Sequence, residues 1–406
     1  LGVPNGDDVG ATKAAQYGAI KLLVDRTRSV GPEFALTDET APYVIDICRR
    51  LDGVPLAIEL ASSSVPVVGA QEVARRLSHD LRLVRGSRRE MPARHRTLYS
   101  IFSWSYGLLS PAAQSLLRRL AVFPGSFSLN AAIAVGVQAD ACEARVASAL
   151  QDLHRKSLLL VDPDGSPSRY RLLSTTRTFA YQKLDRVEAA AAFGAMARYY
   201  LDLLEPSAVQ LADPAQGRTA NSGEFDRNNI SAVLAWAFQS SETASIGVEL
   251  TLALIPMWTA FSTFDECCLY AGRALRWLQE NPIAGVHKVV NLQVALGMAM
   301  MWTIGPVAEA EDALLKGLKL AEQCHDTENK LRSYYGLWHH RLRRGSYRAS
   351  SLMAEKFVEA ADAGDLAASI VGETISGVSD CSLGDPSYGR DRLEFVLQNG
   401  KADFDQ

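Results

Sequence analysis

Few residues in this chain have the types and spacing that suit chemistry. The run Arg49-Arg50-Leu51-Asp52-Gly53-Val54-Pro55 sets a glycine two positions ahead of a proline, between two helical patterns. Glycine just past a helix end takes the left-handed conformation that satisfies the last carbonyls. Proline at a first helical position gives up an amide that has no helical partner. The turn between them is therefore tight and rigid, and its plainer reading is connection chemistry. Other chemical sets are incomplete. No G-x-x-x-x-G-K-[S/T] run is present, and Lys13 and Lys21 follow no glycine array that would bring backbone amides to a phosphate. Serines, histidines and carboxylates occur, but no G-x-S-x-G elbow presents a nucleophile, so a hydrolase reading is weak and no catalytic residue is expected. His339-His340 are helical neighbours whose side chains diverge, with no carboxylate or cysteine three or four positions away, and no metal site is expected. The six cysteines, Cys48, Cys142, Cys267, Cys268, Cys324 and Cys381, lack framework spacing and read as reduced thiols.

The elements that would position these residues are mainly helical. Residues 1 to about 12 read as a connector. Helical patterns then cover Ala14 to Val30, Glu39 to Leu51, Pro55 to Ser63 and Ala70 to Leu81, a small four-helix subdomain. Six arginines between Arg82 and Arg96, broken by Gly86 and Pro92, read as a solvated hinge, since no aromatic residue interleaves to stack bases. Residues 95–188 follow a winged-helix pattern. Helices are expected at Leu98 to Leu108, Pro111 to Val122, Leu129 to Val135 and Ala141 to Lys156. Two apolar runs follow, Leu158 to Val161 and Tyr170 to Leu173, joined by the strong turn chemistry of residues 162–168. The helix before this hairpin carries Glu143, Arg145, Gln151 and Asp152, with Arg155 and Lys156 only at its end. That is a poor set for reading base edges and phosphates.

From 189 to 406 the pattern is an α-solenoid of helix pairs. Gly297, Gly336 and Gly377 fall in successive first helices, 39 and 41 residues apart, and Gly305, Gly345 and Gly384 fall in the turns that follow. Such a period with small residues at helix crossings marks repeats whose apolar faces are buried only against neighbours. Leu250 to Leu278 reads as a degenerate copy, with Trp258 and Phe261 in place of the small residues. Trp302, Tyr334, Tyr335, Trp338, His339, His340 and Tyr347 cluster around the middle repeat. Most aromatics at helical spacing are core, so at least two thirds of these seven are expected to be buried. Trp302, Tyr334, Trp338 and Tyr347 are the candidates for contact with a partner.

Composition agrees with a multidomain globular protein. The chain has 406 residues, 48% hydrophobic and 22% charged, with a net charge of −4. That balance argues against a dedicated nucleic-acid surface, which needs a concentrated basic face. No apolar run approaches the ~18 residues that span a bilayer, and no membrane partner is expected.

These features together resemble one family. Gly53-Val54-Pro55-Leu56-Ala57 is similar to the G-L-P-L-A motif of STAND ATPases, the NB-ARC-like regulators. Tyr17 to Arg28 looks like the helix that opens their small helical subdomain. Pro92 to Leu98 and Phe102 to Ser110 resemble the link into their winged helix, and Phe123-Pro124-Gly125-Ser126-Phe127 and Tyr170 to Leu173 fall where that winged helix has them. Glu224 to Ile230 with Ala235-Trp236-Ala237 resembles the approach to a tetratricopeptide-like (TPR-like) region. The match covers most of the chain and is best to bacterial transcriptional regulators that join a DNA-binding domain, a STAND ATPase and helical repeats.

The resemblance implies a mainly α chain: NB-ARC-type helical subdomain and basic linker over 1–94, winged helix over 95–188, TPR-like solenoid over 189–406. It implies that Gly53 and Pro55 form a wall against the adenine of ATP or ADP in the intact protein. Many family members carry Met-His-Asp at the end of the wing, where this chain has Leu172-Leu173-Ser174, leaving Arg177 as a weak candidate phosphate contact. The expected whole is a cytoplasmic regulator whose P-loop core and output domain lie upstream of Leu1. This part would then lack ATPase activity and bind no cofactor tightly. Its partners would be those upstream domains and a signal protein or small molecule at the solenoid, with DNA met only through a domain absent here. The alternative is a stand-alone winged-helix DNA-binding transcription factor using residues 95–188.

Overall fold

The computed structural model of the chain describes residues 1–4, 10–62, 64–77, 98–136, 143–156, 158–162, 168–210, 226–281, 285–361 and 365–399. The basic stretch Arg82 to Arg96 and the tip of the expected wing lie outside the described residues. Among the described residues the chain forms twenty-one helices and a two-stranded antiparallel sheet. It divides into two compact units, residues 1–199 with 222–232, and residues 200–221 with 233–406.

The first unit opens with α1 (Ala11–Ala14), α2 (Gly18–Val30), α3 (Ala41–Arg50), α4 (Pro55–Ser62), α5 (Val65–Val68) and α6 (Ala70–Leu77). The helix expected from Ala14 is interrupted at 15–17. Tyr17 is extended before Gly18, and the Ala19 amide donates to the Gly2 carbonyl (3.3 Å), so the leading segment serves an otherwise free donor of α2. Spacings of three and four put Ile20, Leu23 and Val24 on one face, against Val44, Ile47, Cys48, Leu51 and Ile58. A side chain buried to the degree of Leu51 or Ile58 contributes about 1.5–3 kcal/mol of transfer free energy.

The unit continues through α7 (Leu98–Gly107), α8 (Pro111–Leu120), α9 (Leu129–Gly136), α10 (Glu143–Arg155), the hairpin β1 (Leu159–Asp162) and β2 (Arg169–Leu172), and α11 (Ser174–Gln182). Ser110 caps α8, accepting from the Ala113 amide (3.3 Å), and Pro111 follows at the first helical position. The strands pair Leu159 with Leu172 and Asp162 with Arg169. Phe127 bridges the other edge of β2, exchanging two 2.8 Å hydrogen bonds with Tyr170. Phe123 stacks on Phe127 at 4.8 Å, and both are fully buried. This is the expected winged helix.

Next, α12 (Arg186–Gln210) and α13 (Arg227–Ala237) each begin in the first unit and end in the second. The second unit pairs α14 (Ala244–Ala260) with α15 (Phe264–Glu280), α16 (Val286–Thr303) with α17 (Ala308–Gln323), α18 (Thr327–Arg343) with α19 (Tyr347–Ala360), and α20 (Leu366–Leu383) with α21 (Pro386–Asn399). Gly297, Gly336 and Gly377 are all buried in the first helices of their pairs. Gly305, Gly345 and Gly384 take positive φ in the turns (95°, 75° and 96°), a conformation open to glycine at little cost. The degenerate copy is the α14–α15 pair. There Trp258 is fully buried, stacks on Tyr270 at 6.1 Å and donates to Glu266 Oε2 at 3.1 Å, while Phe261 is exposed at the helix end. Fewer of the seven middle-repeat residues are buried than the expected two thirds: Tyr334, Trp338 and His340 are buried, Tyr335 and His339 half-buried, Trp302 and Tyr347 exposed.

Candidate functional site

The Gly53 turn is built by the end of α3. Asp52 and Gly53 are successive left-handed residues (φ 51° and 64°), and the Gly53 amide reaches back to the Cys48 carbonyl at 3.0 Å. The Ile58 amide bonds the Val54 carbonyl, so α4 begins with Pro55 at its first position, as the spacing predicts. The leading segment lies across this turn. The Leu1 nitrogen donates to the Gly53 carbonyl at 2.9 Å and Arg49 Nε donates to the Pro4 carbonyl at 2.8 Å. A Cβ on Gly53 would stand 2.2 Å from the Leu1 carbonyl oxygen, so glycine is required there both for φ and for space.

Asp52 turns the same loop into a joint with the winged helix. Its carboxylate faces the N-terminus of α11, accepting from Ser174 Oγ and the Thr175 amide, each at 3.4 Å, with Arg171 at 3.9 Å. A helix N-terminus offers unpaired amides and a positive dipole end, which favour a carboxylate. The Asp52 side chain is only 8% exposed, and burial pushes its pKa up against the opposing pull of the Thr175 and Ser174 hydrogen bonds and Arg171. On the next turns of α11, Phe179 enters the core of the helical subdomain and meets Tyr99, Phe102 and Tyr106 at 5.3–5.7 Å. Ser174 and Thr175, just past the hairpin, thus stand against the Gly53 turn through Asp52. Arg177 donates to the Ala121 carbonyl at the end of α8 (3.0 Å), and burial lowers its pKa.

A second joint closes the Phe123–Phe127 turn. Ser126 N donates to Asp226 Oδ2 (2.9 Å), Gly125 N to Asn229 Oδ1 (2.9 Å), and Asn229 Nδ2 to the Ser126 carbonyl (2.8 Å). Asn229 is fully buried, and a Cβ on Gly125 would fall 2.2 Å from the Asp226 carboxylate. Sequence reasoning assigned no role to Asp52, Asp226 or Asn229. The Asp-Gly pair at a helix end and the polar Asp226-Arg227-Asn228-Asn229 run opening an apolar helix were the available signals.

The helix before the hairpin presents Glu143, Arg145, Ser148, Gln151, His154, Arg155 and Lys156 to solvent. Arg155 is paired with Asp152 at 2.6 Å, and the Lys156 ammonium donates to the Leu108 carbonyl. In the second unit, Tyr334 and Trp338 lie in the core, with Tyr334 Oη on Glu322 (3.2 Å) and Trp338 Nε1 on Ser379 Oγ (2.9 Å). Trp302, 53% exposed, stacks on Phe264 at 6.0 Å and meets His339 at 5.2 Å, and Tyr347 is 45% exposed. Burial, with Arg343 and His340 nearby, lowers the pKa of His339.

Residues 109–185 match the family model described as "Winged helix-turn-helix domain". The chain carries this domain. It is 33% identical over 308 residues to a Mycobacterium tuberculosis protein named "Putative HTH-type transcriptional regulator", a match that covers 69% of this chain and 35% of the relative. An uncharacterized M. tuberculosis protein is 39% identical over 192 residues, covering 47% of this chain and 48% of its own length. The chain therefore spans about a third to a half of the curated relatives it matches. A solved Pyrococcus horikoshii STAND protein with a tetratricopeptide repeat sensor aligns over 94% of this chain and 54% of its own, at 15% identity and TM-score 0.45. The winged helix-turn-helix match takes in the Phe123 to Phe127 run and Tyr170 to Leu173.

Proposed function

We propose that this chain is the regulatory and sensor part of a STAND-type transcriptional regulator. The helical subdomain and winged helix hold the nucleotide state, and the helix pairs bind a signal or partner protein. The observation that carries the reading is the docking of the Asp52-Gly53 turn on the N-terminus of α11. A loop whose proline would face adenine is thereby tied to the wing's end, so a change at either is felt by the other. In an intact regulator the nucleotide would sit on Gly53 and Pro55 and on a phosphate loop from elsewhere. The segment Leu1–Pro4, which packs on this turn, would share its border. Signal binding at the solenoid would shift the balance between two packed states through differential contacts, and this chain supplies sensor and clamp rather than chemistry. The experiment is calorimetry of the 406-residue chain with ATP and ADP, run with a phosphate-release assay. Weak or no binding and no phosphate release are expected, because most charge-assisted hydrogen bonds to a nucleotide come from a phosphate loop. Submicromolar ATP binding with turnover would refute the reading.

The alternative, a stand-alone DNA reader, draws on the winged helix-turn-helix match. The commitment of Arg155 and Lys156 to Asp152 and Leu108 weighs against it.

A further inference from the structure

The turn between α17 and α18 consists of Cys324, His325 and Asp326. His325 is left-handed (φ 56°), and the Asp326 amide closes α17 on the Ala321 carbonyl at 2.9 Å. Asp326 then caps α18, its carboxylate accepting the Asn329 amide at 3.0 Å and Asn329 Nδ2 at 2.9 Å. From the start of α16, His287 brings Nδ1 to 3.7 Å from Asp326 Oδ2. One ligand atom from each of His287, Cys324 and Asp326 lies within 4.8 Å of the other two.

Imidazole nitrogen, thiolate sulfur and carboxylate oxygen are the donors of zinc chemistry. With metal–ligand bonds of about 2.0–2.3 Å, a tetrahedral ion holds its ligand atoms roughly 3.3–3.8 Å apart. The cluster needs to tighten by about 1 Å along its longest edge, and His287, with its side chain 65% exposed, is free to swing in. The carboxylate is already fixed. Asn329, 3% exposed, orients it and is itself tied to Asn291 Oδ1 at 3.0 Å, the kind of outer-shell support that tunes metal ligands. Burial works to raise the Asp326 pKa, but the Asn329 hydrogen bonds and His287 outweigh it and hold the carboxyl below its ordinary range. The Cys324 thiol reaches the Ala321 carbonyl at 3.8 Å, a weak contact that a metal bond would replace.

We infer that His287, Cys324 and Asp326 form a three-ligand site for a divalent cation of the zinc class, with its fourth position left to water or an outside donor. On binding, a metal–sulfur bond forms as the thiol proton leaves to solvent. The thiolate and carboxylate then balance the dication. The ion would join the start of α16 to the α17–α18 turn, cross-linking adjacent helix pairs. No sequence spacing signals this site, since His287 lies a full repeat away from Cys324 and Asp326.

The test uses Co²⁺ and Zn²⁺ on the reduced full chain. One equivalent of Co²⁺ should give a thiolate-to-cobalt charge-transfer band that Zn²⁺ abolishes, and Zn²⁺ should raise the melting temperature. Cys324→Ser should remove the band and raise the Zn²⁺ Kd more than about 100-fold, beyond the 10–100-fold typical of outer-shell changes. His287→Ala and Asp326→Asn should weaken binding at least about tenfold, and Asn keeps the helix cap so that folding is preserved. Cys268→Ser should leave the band intact. Absence of the band in the original chain, or its survival in Cys324→Ser, would overturn the assignment.

Discussion

Gly336→Leu is the sharpest perturbation of the solenoid. A Cβ at this position would stand 2.7 Å from Leu314 Cδ2 and 2.8 Å from Met298 Sδ, and leucine adds three further carbons in the same crossing. Both neighbours are flexible side chains, so they can yield, but Leu314 is fully buried in the middle-repeat core and has no open space to enter. Overpacking of this kind costs about 1–3 kcal/mol. Leucine regains about 0.8 kcal/mol in helix propensity over glycine. With four atoms added to a filled crossing the upper end applies, for a net loss of about 2 kcal/mol and a fall in melting temperature of roughly 4–8 °C. Five of the six tryptophans follow residue 232, so tryptophan fluorescence during thermal unfolding reports chiefly on this unit. The matched control is Gly272→Ala on α15, where a Cβ meets nothing within 4 Å. It should stabilise by up to about 1 kcal/mol. A Gly336→Leu melting temperature equal to or above that of the original chain would refute the crossing assignment.

Other outcomes follow from the joints in the first unit. Asn229→Ala strands the buried Gly125 amide, while the Ser126 carbonyl keeps Arg169 Nη2 at 2.9 Å, and should cost about 1–3 kcal/mol. Hydrogen exchange at residues 123–127 should accelerate, and unchanged protection there would dismiss the lock. Asp52 has a raised folded-state pKa, so the folded chain binds more protons than the unfolded one and this contribution to stability grows as pH falls from neutrality through the carboxylate range. Asp52→Asn should therefore raise the melting temperature at pH 7, by a margin that shrinks as the medium is acidified. A constant margin would mean that Asp52 does not titrate against α11. Arg145→Ala, Arg155→Ala and Lys156→Ala combined should leave duplex DNA retention unaltered in electrophoretic shifts at moderate salt. Sequence-selective binding abolished by the triple variant would favour the DNA-reading alternative.

The repeat register was legible because glycine is doubly constrained: its absence of a side chain serves the crossings at Gly297, Gly336 and Gly377, and its φ freedom serves the turns at Gly305, Gly345 and Gly384. Both demands leave a regular trace in a linear string. The Gly53 turn was legible for the same reason. The break before α2 was not, because Tyr17 is ordinary in a helix and the segment that interrupts it, Gly2, is distant in sequence. Aromatic residues defeated the pattern in another way. Trp302 and Trp338 occupy equivalent-looking helices, yet one is exposed and the other buried on Ser379, a partner 41 residues downstream. Periodicity assigns a face to a helix but cannot say which face the next repeat covers. Asp52, Asp226 and Asn229 escaped because each acts on backbone more than 90 residues away.

The lock at Gly125 and Ser126 bears on how such chains can be recombined over evolutionary time. The residues that complete the winged helix, Asp226 and Asn229, stand just before and in the first turn of α13, which leads into the helix pairs, so the gene segment for the sensor also carries the finishing piece of its neighbour. A crossover placed before Asp226 would import an array that must bring an aspartate and an asparagine in the same register, or leave the turn open. A crossover placed after Asn229 is free of that demand. Sensor exchange in this lineage should therefore leave its scars downstream of Asn229, with the aspartate–asparagine pair inherited together with the winged helix it seals.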